Sequence, residues 1–117
     1  MPMLNFQPRF VAPIRAGIKH LTIRAHRIVP IKKGDLLYLY CGARHKGAFR
    51  ILPEPQLCTL TQLITLDASG FVAIERVYLA PDGREHLAIA DGFKSFKDML
   101  TFWTGHLPFE GDNIHWK

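Results

Sequence analysis

The sequence predicts a small α+β domain: a partly open β-barrel with one clear helix near the C-terminus and a short N-terminal helix. Three observations predict it. Short aromatic and apolar runs recur between turn residues, as the strands of a small barrel do. The hydrophobic spacing becomes helical only in the last third. The 117 residues contain no repeat, low-complexity stretch or Gly/Ser-rich linker, so 1–117 reads as one domain with its own core.

Each element follows in order. Phe6 to Phe10 contains Pro8 and begins extended, and Phe10 to Ala16 fits one or two helical turns closed by Gly17 as a left-handed cap. Leu21-Thr22-Ile23-Arg24 alternates apolar with polar, the pattern of a half-buried strand. Ile31 to Asp35 reads as a turn, and Leu36 to Cys41 as a buried strand. Ala48 to Leu52 reads as the next strand, broken by Pro53 and Pro55. Leu57 to Leu66 follows, ending at the turn Asp67-Ala68-Ser69-Gly70. Phe71 to Leu79 and Glu85 to Ala90 are expected to pair as a β-hairpin about Pro81-Asp82-Gly83. Ser95 is a candidate N-cap with Asp98 three residues on, and Phe96, Met99, Leu100 and Trp103 then form one apolar helical face that Gly105 ends. Asn113 to Trp116 is expected to close the sheet.

Composition narrows the setting. Cys41 and Cys58 make neither a disulfide framework nor a metal motif, and Cys41 reads as a buried thiol. No charged segment followed by a long apolar run marks a signal peptide, and the longest apolar run is too short to span a bilayer, so a soluble, cytoplasmic chain is expected. The net charge of +5 is segregated. Residues 1–50 hold ten Lys and Arg against one acid, Asp35, whereas residues 51–117 hold five against nine. A polyanionic partner on one face fits this asymmetry, and so does a solvated basic surface. His20, His26 and His45 have no zinc-site spacing, so no metal and no cofactor are expected. A Ser-His-acid order, a P-loop and a Gly-x-Gly-x-x-Gly run are all missing, which argues against standard hydrolase, NTPase and dinucleotide sites.

Gly17-Ile18-Lys19-His20-Leu21-Thr22-Ile23-Arg24 matches the pattern Gly-x-Lys-x-x-Thr-x-Arg. Phe6-x-Pro8-x-Phe10 lies ahead of it, Lys33-Gly34-Asp35-Leu36 follows, and Asp91-Gly92-Phe93 precedes the late helix. In this the chain resembles the ASCH family of the PUA-like superfamily, over residues 6–41 and 90–116. The resemblance implies a PUA-like barrel with a cleft beside the Gly-x-Lys loop that binds RNA or a modified nucleoside. More distantly it implies an amidohydrolase that removes the acetyl group from acetylated cytidine, with the motif Lys and Thr acting beside a later Glu. Those positions correspond to Lys19, Thr22 and Asp91. The acid here is one methylene shorter, and a misplacement of about 1 Å can cost roughly a hundredfold in rate.

Each residue carries a reactive and a plain reading. Lys19 is a general base if its pKa falls by about 3 units from about 10.4, or a charged ligand-binding group if it does not. Thr22 is a nucleophile beside Lys19, or an ordinary strand threonine. A strand sets positions i and i+3 on opposite faces, so the two meet only if Lys19 sits in a turn before the strand, where Gly17 would bend the chain. Arg24 shares the face of Thr22 and suits a phosphate or base edge, or a salt bridge to Asp91. Arg44, His45 and Lys46 form a basic loop that contacts phosphates or is simply solvated. Tyr38 and Tyr40 present rings for base stacking or pack in the core. Trp103 and Trp116 are expected in the core.

Overall fold

A computed structural model of the chain describes residues 2–42 and 46–116. The first strand, β1 (Met3–Phe6), leads through a single 3-10 turn at Pro8–Phe10 into α1 (Val11–Arg15). Then come β2 (Leu21–Ala25), β3 (Leu36–Cys41), β4 (Phe49–Arg50), β5 (Gln56–Leu66), β6 (Val72–Ile74) and β7 (Val77–Tyr78). Two helices, α2 (Pro81–Ala90) and α3 (Phe96–Trp103), precede the last strand, β8 (Phe109–Trp116). The domain is therefore α+β, with eight strands in one mixed, unclosed sheet among the described residues.

The spine of the sheet is β5. It pairs antiparallel with β8 from Cys58–Trp116 to Leu66–Phe109, across an irregularity between Cys58 and Leu60. The other long edge of β8 carries β2, antiparallel, with Thr22 opposite Ile114 and Arg24 opposite Asp112. The start of β5 meets β3, which holds β1 in parallel register from Met3–Tyr38 to Phe6–Cys41. No ladder joins β1 to β2, yet the sheet curls enough to bring those edges together. Arg24 Nη2 donates to the Asn5 carbonyl at 2.7 Å, and the Phe6 ring meets the Trp116 ring edge-on at 6.0 Å. The result is a partly open barrel whose seam lies between β1 and β2. Leu4, Phe6, Leu37, Leu39, Cys41, Cys58, Ile114 and Trp116 are among the buried residues of its core.

Two expected strands are corrected, and one further strand appears. Residues 81–90 are helical and do not form the return strand of a hairpin. Pro81 occupies the first turn, where its missing N–H is no loss, and Asp82 beside it favours the positive helix end. Pro-Asp-Gly thus starts a helix, and the hairpin turn lies upstream. Glu75 and Arg76 both take positive φ, 49° and 69°, to link β6 with β7. The strand expected at 48–52 shrinks to Phe49–Arg50 at the sheet edge. The segment Met3–Phe6, with its alternating exposed and buried residues, is a strand that the sequence reading left out.

The late helix forms as expected. Ser95 Oγ accepts from the Asp98 amide at 3.1 Å, and Glu85 from α2 caps the same end by accepting from the Phe96 amide at 3.0 Å. Leu36 to Cys41 is a strand, but only one face of it is buried. Leu37, Leu39 and Cys41 point into the core, while Tyr38 and Tyr40 are half-buried on the outer face. No helix is long and apolar enough to cross a membrane among the described residues.

Candidate functional site

The Gly17–Arg24 segment folds as two pieces. Gly17 takes φ +76°, the left-handed conformation that ends α1. Ile18 and Lys19 then return their amides to the Pro13 carbonyl, each at 3.0 Å. His20 donates its amide to the Ala90 carbonyl at 3.1 Å and accepts from the Trp116 amide at 3.0 Å. The turn is thereby tied to α1, to the end of α2 and to β8 before β2 begins at Leu21.

This turn drives the Lys19 side chain inward, leaving it 2% exposed. Its Nζ donates to the Leu21 carbonyl at 2.8 Å, to the Asp91 carbonyl at 2.7 Å and to Asp91 Oδ1. An ammonium has three donors, and all three are used. The rings of Phe10 and Phe6 lie 4.6 and 5.6 Å from Nζ, presenting further negative charge density to it.

Asp91 caps the C-terminus of α2, and Gly92 follows with φ +90°. A Cβ on Gly92 would lie 3.0 Å from Lys19 Cδ and 3.1 Å from a Phe10 ring carbon. Glycine at this position is therefore what lets the Lys19 stem pass so close to the backbone. Phe93 next packs edge-on against Phe10 at 5.4 Å and obliquely against Phe102 at 5.2 Å.

Burial dominates the ionisation of the pair. It lowers the Lys19 pKa, against the opposing pull of Asp91, and raises that of Asp91, against the pull of Lys19. The two proton affinities are thus drawn toward each other.

Thr22 and Arg24 complete the cluster. Arg24 Nε donates to Thr22 Oγ1 at 3.1 Å while its Nη2 holds Asn5, and the guanidinium lies 4.6 Å from the centre of the Phe6 ring. Burial brings Arg24 down to about 10, with Asp91 acting the other way. It remains a cation at neutral pH.

Lys19, Thr22, Arg24 and Asp91 all line one cavity of about 220 Å³. Its walls include Phe6, Phe10, Phe93, Phe102 and Trp103. Trp103, expected in the core, instead lines this cavity together with Phe102, which lies off the Phe96-Met99-Leu100-Trp103 stripe. The aromatic spacing Phe93, Phe96, Phe102, Trp103 was the available signal. Trp116, by contrast, is buried as expected.

The structure does not join Lys19 to Thr22 by a hydrogen bond, since Arg24 holds the threonine and Asp91 holds the lysine. Gly17 does not line the cavity and acts through the turn. Lys46 is exposed and also outside the cavity lining, and Arg44 and His45 lie outside the described residues. A larger groove of about 570 Å³ runs past Pro2, Arg27, Val29, Ile31, Lys32 and Leu36, and gathers no comparable set of reactive groups. No group of three His, Cys, Asp or Glu side chains arranged to hold a metal occurs among the described residues.

No protein-family model, curated protein or solved structure matches this chain.

Proposed function

We propose that this is an ASCH-type, PUA-like domain whose cavity binds a planar polar heterocycle, a nucleobase or modified nucleoside presented free or by RNA. The observation that carries the reading is convergence. Two hydrogen-bonded pairs, Lys19–Asp91 and Arg24–Thr22, open on one aromatic-walled cavity. At about 220 Å³ it is smaller than the ~300–1,000 Å³ of drug-sized pockets, which suits a single base. The rings offer faces for stacking, and the Asp91 carboxylate, Thr22 hydroxyl and Arg24 guanidinium offer an acceptor and donors for a base edge. The Gly-x-Lys-x-x-Thr-x-Arg resemblance supplies the ligand class. Trp103 lines the cavity while Trp116 is buried, so ligand entry should change the tryptophan emission. Titration with cytidine, acetylcytidine and uridine should give saturable changes that Asp91→Asn weakens at least tenfold. No change with any nucleoside at low salt would sink the reading.

One observation favours a second reading, deacylation of an acetylated cytidine. Burial draws the proton affinities of Lys19 and Asp91 together, which suits a pair that passes a proton to a leaving amine. Thr22 Oγ1 would attack the amide carbonyl and give its proton to the pair. The C–N bond would break as the pair returns that proton to the leaving amine, and a water would then hydrolyse the Thr22 ester to release acetate. Lys19 must first give up one of its three acceptors. Equal deacetylation rates for wild type and Lys19→Ala would dispose of this mechanism.

A further inference from the structure

Outside the cavity, the outer face of β3 presents Leu36, Tyr38 and Tyr40 in line, because alternate residues share one side of a strand. Leu36 is 46% exposed and also lines the 570 Å³ groove, so groove and strand face form one continuous surface. Arg50, opposite Tyr40 on β4, holds its guanidinium 5.1 Å from the centre of the Tyr38 ring. At the groove end stand Arg27 and Lys32. The one acid there, Asp35, has its carboxylate turned onto the Lys32 amide at 3.0 Å. Rings interleaved with cations and almost no competing acid match the chemistry of a flexible polyanion with stackable faces. The segregation of charge gives the same sign, since Asp35 is the only acid among residues 1–50.

We infer that this face binds single-stranded nucleic acid, with bases stacked on Tyr38 and Tyr40 and phosphates paired with Arg27, Lys32 and Arg50. Leu36 to Tyr40 covers about 13 Å of strand at roughly 3.3 Å per residue. With the groove added, the length suits the lower part of the ~4–16 nucleotide range of such surfaces. The face needs nothing from the reading of the cavity. It does end beside it: Tyr40 is the cross-strand neighbour of Asn5, which lines the cavity. A strand held here would carry its next base to the cavity mouth.

The test is fluorescence anisotropy with labelled oligo-rU and oligo-dT of about 12 nucleotides, within the size range of such sites. Wild type should bind both, with an affinity falling as roughly the second power of salt concentration, as about three phosphate contacts on a single strand require. Tyr38→Leu/Tyr40→Leu keeps apolar bulk without the rings and should weaken binding at least tenfold at every salt concentration. Arg27→Gln/Lys32→Gln/Arg50→Gln should flatten the salt dependence. Both variants should keep the nucleoside response of the cavity, which separates the two readings. Unchanged affinity in both variants would overturn the inference, as would a wild type that binds neither oligonucleotide at low salt.

Discussion

Replacing Lys19 with Met retains the aliphatic stem but strips Asp91 of the ammonium that compensates it. Asp91 is 4% exposed, so its carboxylate would be left buried and unpaired. Breaking a buried pair from one side costs about 3–5 kcal/mol, against a total stability of about 5–15 kcal/mol for a domain. At roughly 4 °C per kcal/mol for a chain of this length, the melting temperature should drop by about 12–20 °C. The directions of the pKa shifts add a sign. A raised pKa for Asp91 means that its contribution to stability is full below the unfolded value of 3.8 and is lost as pH rises through the folded value. A lowered pKa for Lys19 means stability present above 10.5 and lost as pH falls through its folded value. Near neutrality each group therefore opposes folding even with their mutual attraction included, because burial outweighs it. It follows that Lys19→Met/Asp91→Leu should recover most of the loss, or exceed wild type. Urea denaturation followed by circular dichroism measures all three proteins. A Lys19→Met penalty below about 1 kcal/mol, or a double variant no better than the single, would refute the account of the pair as buried and mutually dependent.

Three further outcomes are expected. Gly92→Ala combines a left-handed backbone penalty of about 1–2 kcal/mol with a Cβ 3.0 Å from Lys19 Cδ, so it should lower stability and also weaken nucleoside binding, measured by melting and by tryptophan emission. His26 stands 3.2 Å from Asp112 and 3.5 Å from Glu110, and hydrogen bonding to Asp112 raises its pKa. Any melting-temperature advantage of wild type over His26→Gln should be full below pH 6.5 and vanish as pH rises through the folded pKa. Asp91→Glu adds a methylene where Oδ1 and the backbone carbonyl of Asp91 already meet Nζ, and should destabilise by about 1–3 kcal/mol, measured by urea titration.

Strand and helix signals were legible wherever local chemistry and tertiary context agreed. Leu21–Ala25 alternates because its two faces differ, Leu21 and Ile23 joining the core while Thr22 and Arg24 meet each other. Thr22 is buried too, so the strand is less exposed than the alternation suggests. Ser95 caps because its hydroxyl meets an orphan amide. Residues 81–90 misled because Pro-Asp-Gly is as good a helix start as a turn, and the decision rests with Leu87 and Ala88, which find a core to enter. Leu36–Cys41 resembled a fully buried strand because tyrosines are apolar enough to pass for core. Only the folded sheet shows that one face of β3 remains outside.

The candidate site divides along the same line. Lys19, Thr22 and Arg24 stand together in one short motif and Asp91 entered through the resemblance alone, but the Lys19–Asp91 partnership depends on where α2 ends. The resemblance set Lys19 beside Thr22, and strand spacing allowed this only if Lys19 lay in a turn. The fold pairs Thr22 with Arg24, as the strand period allows, and Lys19 with Asp91, 72 positions away, which no spacing reveals. An aspartate at position 91 suits the same geometry. Because Asp91 caps α2, its backbone carbonyl already lies 2.7 Å from Nζ, so a carboxylate on a one-methylene stem suffices to reach the ammonium. Gly92, where a Cβ would crowd Lys19 Cδ, lets the lysine stem approach closely enough for this short reach.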